Sequence, residues 1–149
     1  MFKRILVAVD GSDTSNKALL AALQLARDRN SKLRLVHAMD ELGSVTGYRY
    51  SAQLRELVRE EREQILHDAL AIAQAAGAQA DTQLADGAGR RLGEVIADAA
   101  QAWDADLVVV GTHGRRGIGR ALLGSGAEGV LRMSNVPVLT VRGEPAASS

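Results

Sequence analysis

Apolar runs alternate with amphipathic stretches along the 149-residue chain. Five short segments are rich in branched aliphatic residues and bounded by turn residues, which predicts strands over 4–10, 32–40, 80–87, 105–111 and 136–142. Between them, apolar residues recur at helical spacing, which predicts helices over 15–30, 51–76 and 91–103 and a last helix from Gly124–Ser125 onward. Segment 80–87 alternates between apolar and polar residues, so we expect a partly exposed strand near a sheet edge.

The alternation of strands and helices predicts an α/β fold, a five-stranded parallel doubly wound sheet of the Rossmann-like kind with right-handed crossovers. We see no internal repeat, and we expect a single domain over residues 1–143 with a disordered tail over 144–149. In such sheets, ligands bind beyond the carboxyl ends of the strands, where the strand order switches. The segments 10–12, 37–38 and 111–114 follow predicted strands and should therefore share one rim of the sheet.

Composition narrows the classes of function. Apolar residues make up 46% of the chain but aromatic residues only 3%, which suits an aliphatic core around a parallel sheet. The 18 basic and 18 acidic side chains cancel, which argues against nucleic acid as a main partner. The chain has no cysteine, which excludes a disulfide framework and thiolate chemistry. The first apolar run is short and is followed by Asp10, so we predict neither a signal peptide nor a membrane span, and we expect a cytoplasmic protein.

Seven glycines and four arginines are concentrated in segment 111–132. The connection from Gly111 to Gly124 is much longer than the roughly 2–6 residues that usually join a strand to a helix. Ser125 and Glu128 have the spacing of a capping box, in which Ser125 would cap a helix that begins at Gly124–Ser125. A long glycine-rich loop that ends at a helix start is therefore predicted.

This helix start predicts an anion-binding site. Its free amides and positive dipole end bind phosphate readily, and glycines let an anion approach the main chain closely. Gly111 and Gly114 would add a second wall of amides. Mobile positive charge is available from three loop arginines whose roles stay open: Arg115, Arg116 and Arg120.

Two common phosphate motifs are excluded. The letters "GSGAEG" (124–129) match G-x-G-x-x-G, but the dinucleotide fingerprint requires these glycines directly after a strand and an acidic residue about 20 positions later. Here the strand ends near Val110, and the chain ends about 20 residues beyond the motif. The Gly-Lys-Ser/Thr end of a P-loop is absent from the sequence, so the chain is not a P-loop ATPase.

Two long stretches resemble the universal stress protein family. The stretch "KRILVAVDGSDTSNKAL" is similar to the family's first strand and turn, and "ADLVVVGTHGRRGIGRALLGSGAEGVLRMSNVPVLTVR" is similar to its C-terminal third. The spacing Gly111-x2-Gly114-x9-Gly124-Ser125 resembles the family's ATP-binding signature, G-x2-G-x9-G-S/T. The resemblance extends over residues 2–142 and implies the ATP-binding subgroup, with the adenine nucleotide α-hydrolase-like form of the fold.

The resemblance also implies a role for each matching residue. Asp10 would bond the ribose, Ala8 and Val9 would line the nucleoside, and the main chain of Ala38 would face the adenine edge. The phosphates would be surrounded by Gly111, Gly114, Gly124, Ser125 and Gly126. No protein metal site is predicted, because no carboxylate or histidine cluster marks one, so Mg or Mn would be held by the phosphates of ATP.

The resemblance implies that two copies of the chain form a homodimer by pairing through the last predicted strand, 136–142. An apolar strand left unpaired at the edge of a sheet is prone to aggregation, and this independent argument also favours pairing.

The implied function is that of a stress-response protein, which binds ATP and acts through its nucleotide-bound state. We predict no catalytic residue, and slow ATP hydrolysis at most, because no convincing base or nucleophile accompanies the loop. Two alternatives stay open. One is a nucleotide α-hydrolase-like enzyme acting at the α-phosphate, for which "DGSDTS" (10–15) is a distant match that lacks the paired glycines. The other is a scaffold module with a vestigial nucleotide site.

Four aromatic or imidazole side chains need separate interpretation. His37 adjoins the expected adenine contact but is predicted to pack or bond locally, and His67 is predicted to lie on the surface of its helix. Trp103 should pack at the end of its helix. The role of His113, within the glycine-rich loop, stays open.

Overall fold

The computed structural model describes residues 2–26, 30–38, 52–87, 90–112 and 124–143. Within these ranges the strands are β1 (Arg4–Ala8), β2 (Lys32–Ala38), β3 (Gln79–Ala85), β4 (Leu107–Gly111) and β5 (Val138–Val141). The helices are α1 (Asp13–Leu25), α2 (Ala52–Ala75), α3 (Leu92–Trp103) and α4 (Ser125–Met133). The tail 144–149 lies outside the described residues.

These five strands form one parallel sheet in the order β3-β2-β1-β4-β5. The prediction of a five-stranded, doubly wound α/β fold is confirmed. The chain builds outward from β1 in both directions, so the strand order switches between β1 and β4. β3 occupies one edge and is partly exposed, as its alternating pattern predicted. β5 occupies the other edge.

Each face of the sheet is covered by a pair of helices. On one face, α1 and α2 pack against alternate residues of the central strands, including Ile5 and Val7. On the opposite face, α3 and α4 pack against the intervening residues of the same strands, including Leu6 and Val108. All four of these side chains are completely buried. A strand buried on both faces has no polar side, which explains why the central strands appear in the sequence as continuous apolar runs.

The start of α1 differs from its prediction. The helix begins at Asp13 rather than residue 15, because Ser12 adopts an extended conformation and its side chain accepts a hydrogen bond from the Ser15 amide at 3.1 Å. Such an N-cap satisfies one of the backbone donors that the first turn leaves without an intrahelical partner. The early cap leaves a short turn between β1 and α1.

Trp103 packs at the end of α3, as predicted, and is buried. The guanidinium carbons of Arg4 and Arg34 lie 4.5 and 4.9 Å from the centre of its indole ring, within the range of a cation–π contact. Arg34 also makes two 2.9 Å hydrogen bonds to the carboxylate of Asp81, and these bonds raise the pKa of its guanidinium. Arg4 and Arg34 thus stack on the Trp103 ring, and Asp81 binds the second of these arginines.

The long helix α2 carries a run of charged residues over 55–64, and most of them are exposed. Arg59 and Glu63 form an exposed pair one turn apart, with 3.2 Å between Nε and Oε1. His67 is exposed, as predicted. None of the helices in the described part of the chain combines the length and apolar composition needed to cross a membrane.

Candidate functional site

The carboxyl ends of β1, β2 and β4 meet at one rim of the sheet, as predicted. Ala8 is in register with Val36 of β2, and Val7 with Val109 of β4. The turn after β1 therefore lies beside the ends of both neighbouring strands, at the switch in strand order. In doubly wound sheets this is the crevice where ligands bind.

The turn after β1 fixes Asp10 at the rim. Its backbone amide donates to the Ser15 hydroxyl at 3.0 Å, and its Oδ1 accepts from the Ser12 amide at 2.9 Å. Gly11 between them has a φ of +83°, a left-handed conformation that residues other than glycine rarely adopt. Asp10 is half-buried. Its carboxylate is therefore held by a tight turn rather than carried on a mobile loop.

Val9, the residue before Asp10, is hydrogen-bonded to two residues of the neighbouring strand β2. The amide of Val9 donates to the Val36 carbonyl at 2.9 Å, and the Val9 carbonyl lies 2.7 Å from Nδ1 of His37. His37 is only 3% exposed. His37 is buried and bonded within the protein, in agreement with the prediction that it packs or bonds locally, although the identity of its partner was not predicted.

The end of β4 abuts the first turn of α1. A Cβ built on Gly111 would lie 2.7 Å from Cγ2 of Thr14 and 3.1 Å from the Thr14 carbonyl oxygen. The missing side chain at position 111 is thus required by packing within the protein. That Gly111 faces a phosphate stays a prediction.

The start of α4 is tied to the end of β4 by main-chain hydrogen bonds. The Gly124 amide donates to the Thr112 carbonyl at 2.7 Å, and the Thr112 amide donates to the Val141 carbonyl at 2.9 Å. Thr112 itself is buried. The helix start predicted at Gly124–Ser125 is therefore confirmed, and it lies at the same rim as the end of β4.

The capping box predicted for this helix is wrong. Gly124 occupies the N-cap, with an extended backbone (φ −67°, ψ 157°), and Ser125 is the first helical residue. Glu128 instead pairs with Arg132 one turn later, at 2.8 Å. A glycine N-cap has no side-chain oxygen to offer, so it leaves the amides of the first turn without the usual capping acceptor.

Gly126, in the first turn of α4, has a packing role as well. A Cβ at this position would lie 2.6 Å from Cδ2 of Leu92, at the start of α3. The position where a side chain would stand is thus occupied by the neighbouring helix, while the backbone of Gly126 stays at the helix start. Its predicted contact with phosphate is not tested by this geometry.

The predicted site residues fall into two groups on this rim. Ala8 ends β1, Val9 and Asp10 follow it, and Ala38 ends β2. Ala38 belongs to the apolar cluster that also contains Ala127 of α4, and Ala8 packs against that cluster. The second group joins the end of β4 to the start of α4 and comprises Gly111, Gly124, Ser125 and Gly126. The remaining predicted site residue, Gly114, lies outside the described residues, as do four loop residues whose roles stay open: His113, Arg115, Arg116 and Arg120.

Sequence reasoning missed three residues of this rim, namely Ser15, Thr14 and Thr112. Ser15 begins the predicted helix, Thr14 precedes it, and Thr112 acts through its main chain, so none of them carries a recognisable signal. In the part of the chain that the structure describes, no group of three or more histidines and carboxylates is placed to hold a metal ion.

The strand order and the crevice between β1 and β4 define a doubly wound α/β protein whose ligand site is expected at the carboxyl rim. The universal stress protein family matches residues 1–142. The chain belongs to this family. Universal stress protein YxiE of Bacillus subtilis (strain 168) is 36% identical to it over 151 residues, which are 95% of this chain and 100% of YxiE.

Solved structures show the same fold. The hypothetical protein MJ0577 superposes with a TM-score of 0.86 at 25% identity, over 98% of this chain and 99% of that one. The universal stress protein from Archaeoglobus fulgidus in complex with dAMP has a TM-score of 0.70 at 28% identity, over 93% and 96% of the two chains. A universal stress protein in complex with cAMP has a TM-score of 0.66 at 30% identity, over 94% and 96%. Relatives of this chain therefore bind adenine nucleotides.

Proposed function

We propose that the chain is a cytoplasmic universal stress protein that binds ATP and acts through its nucleotide-bound state. The observation that carries the proposal is the joining of β4 to α4 through Thr112, because it sets an uncapped helix start at the same rim as Asp10. Relatives with the same fold bind dAMP and cAMP, which supports an adenine nucleotide as the ligand.

The nucleoside would occupy the β1 and β2 side of the rim. Asp10 would bond a ribose hydroxyl, because a carboxylate held by a turn is a good acceptor for such a group. Ala8 and Val9 would line the nucleoside, and the main chain of Ala38 would face the adenine edge.

The phosphates would occupy the β4 and α4 side. The first-turn amides of α4 lack a side-chain acceptor from their N-cap Gly124, and a helix start in this condition attracts an anion. Ser125 and Gly126 belong to this turn, Gly111 ends the strand opposite, and the predicted Gly114 would complete the set. Mg or Mn would be carried by the phosphates themselves.

We propose binding rather than efficient hydrolysis. Asp10 lies on the nucleoside side, and the imidazole Nδ1 of His37 is engaged with the Val9 carbonyl. Rapid phosphoryl transfer needs a positioned water and stabilised charge at the terminal phosphate. Turnover would therefore be slow at most.

Mass spectrometry of small molecules released from gently purified protein, followed by calorimetry with ATP, tests the proposal. We expect bound ATP or ADP and measurable affinity for ATP. Absence of both would favour a scaffold role with a vestigial site. Release of AMP and pyrophosphate at enzymatic rates would favour the alternative activity at the α-phosphate.

We further propose that two copies pair through the last strand, 136–142. β5 lies at the edge of the sheet, and Leu139 in its middle is 37% exposed. Light scattering should give the mass of a dimer for the native chain and a lower mass for Leu139→Lys, because a lysine on an edge strand opposes pairing. An unchanged dimer in this variant would contradict pairing through β5.

A further inference from the structure

One peptide unit at the rim is held by two buried side chains rather than by neighbouring backbone. This unit joins Val9 to Asp10. Its carbonyl lies 2.7 Å from Nδ1 of His37, and its amide donates to the Ser15 hydroxyl at 3.0 Å. His37 and Ser15 are only 3% and 4% exposed. Both polar groups of the unit are thus bound by side chains that have little freedom to move.

The chemistry of these contacts assigns the proton on His37. A carbonyl oxygen can only accept, so Nδ1 of His37 carries the hydrogen and donates it to the Val9 carbonyl. In the neutral ring, Nε2 is then an acceptor. Nη1 of Arg62, on α2, lies 3.4 Å from Nε2, and a guanidinium can only donate. Arg62 therefore favours the same tautomer that the Val9 carbonyl requires.

The orientation of this peptide unit determines the direction of the Asp10 side chain. Rotation of the unit would change the φ of Asp10 and move its carboxylate away from the Ser12 amide, which it accepts from at 2.9 Å. We propose that His37 and Ser15 are positioning residues that hold Asp10 ready for a ribose hydroxyl. This inference rests on the proposed binding of ATP, and it gives the buried Ser15 hydroxyl and His37 imidazole a role in that site.

Comparison of ATP with 2′,3′-dideoxy-ATP tests the inference, since the second ligand has no ribose hydroxyl to bind. The native chain should prefer ATP by about tenfold or more, the size expected for a hydrogen bond to a charged group. Asp10→Ala should remove most of this preference. Ser15→Ala and His37→Leu should lower it by at least about threefold and leave the affinity for dideoxy-ATP nearly unchanged. A merely structural loss would weaken both ligands equally.

Two control variants separate positioning from folding. His37→Asn keeps an N–H donor close to the place of Nδ1 and should recover most of the preference that His37→Leu loses. His67→Leu replaces an exposed histidine of α2 and should leave the preference unchanged. Failure of the asparagine variant to recover any preference, although it folds, would contradict a role for the Nδ1 hydrogen bond.

Nitrogen NMR of the imidazole gives a test that needs no nucleotide. His37 should show the Nδ1–H tautomer in the free protein, and the opposite tautomer would overturn the inference. If the native chain prefers ATP but Ser15→Ala and His37→Leu keep the full preference, the inference fails while the proposed function stands. If the tautomer is as expected but the native chain binds neither nucleotide, the proposed function fails and the positioning role fails with it.

Discussion

Gly93 and Gly129 bring α3 and α4 into direct backbone contact. A Cβ built on Gly93 would lie 2.6 Å from the carbonyl oxygen of Gly129 and 2.7 Å from its Cα. The reverse contact is looser, because a Cβ on Gly129 would lie 3.3 Å from the Cα of Gly93. The helix α4, whose first turn carries the proposed phosphate amides, can therefore approach α3 this closely only because position 93 has no side chain.

Gly93→Ala should destabilise the chain by about 1–3 kcal/mol, the usual cost of overpacking. The added methyl meets backbone, which cannot move aside as a side chain can. Gly129→Ala is the matched control, since both substitutions add a methyl within a helix and gain the same helical propensity. Urea unfolding should show the larger loss for Gly93→Ala, and equal losses would contradict the asymmetry of the contact.

Gly111→Ala should also be destabilising, by about 1–3 kcal/mol, because its methyl would meet Cγ2 of Thr14. Thr14→Ser removes that methyl from the partner. In a double-mutant cycle the serine should recover at least about 0.5 kcal/mol of the loss at position 111. Additive losses would show that the Thr14 methyl is not the obstacle. Full recovery is not expected, since the Thr14 carbonyl would still lie 3.1 Å from the new Cβ.

Gly11→Ala should lower both stability and ATP affinity. Its φ of +83° costs roughly 1–2 kcal/mol for a residue with a Cβ. Relief of this strain would open the turn in which Asp10 accepts from Ser12. Gly77→Ala is a matched control, because Gly77 has a φ of +80° and open space around its missing side chain, and it lies at the end of α2. Both variants should lose similar stability, but calorimetry should show weaker ATP binding only for Gly11→Ala.

Gly124→Asn should separate the stability of α4 from its capacity to bind an anion. Asparagine is a favourable N-cap, so the free energy of unfolding should rise by a few tenths of a kcal/mol. The same side chain would occupy the first-turn amides and lower ATP affinity by about tenfold, the size of one lost charge-assisted hydrogen bond. Gly124→Ala, which adds a Cβ but no acceptor, is the control for bulk. Unchanged ATP affinity in the asparagine variant would contradict phosphate binding at this turn.

Paired alanines at Gly114 and Gly124 should give a larger loss of ATP affinity than either alone. Each added methyl would stand between an anion and the main chain. Gly124 has a negative φ that alanine adopts freely, so Gly124→Ala alone should unfold at a temperature close to that of the native chain. Retention of ATP affinity in a folded double variant would exclude these glycines from the site.

The sheet could be predicted from the sequence because its central strands are buried on both faces. Strands such as β1 and β4 then appear as unbroken apolar runs, and the weaker pattern of 80–87 correctly indicated an edge. The position of the α4 start was also predictable, since glycine and serine after a loop are typical of a helix beginning. The identity of the N-cap residue could not be predicted, because Ser125 and Gly124 are both acceptable N-caps. Which of them caps the helix depends on the hydrogen bond from the Gly124 amide to the Thr112 carbonyl.

The contacts that support Asp10 could not be predicted from the sequence. His37 meets a carbonyl 28 residues earlier in the chain, and this contact exists only because β2 lies beside β1 in one particular register. Ser15 has the pattern of an ordinary helix residue, and its hydroxyl faces Asp10 only because α1 begins early, at Asp13. Such supporting groups follow from tertiary packing rather than from local pattern.

Thr112 joins the outermost strand to the start of α4 through its main chain. Its amide donates to the Val141 carbonyl of β5, and its carbonyl accepts from the amide of Gly124, the N-cap of α4. A small displacement of β5 would strain the hydrogen bonds that Thr112 makes to Val141 and Gly124, unless the start of α4 moved with the strand. If copies pair at β5 and the crevice binds ATP, as proposed, Thr112 offers one route by which pairing would alter ATP binding.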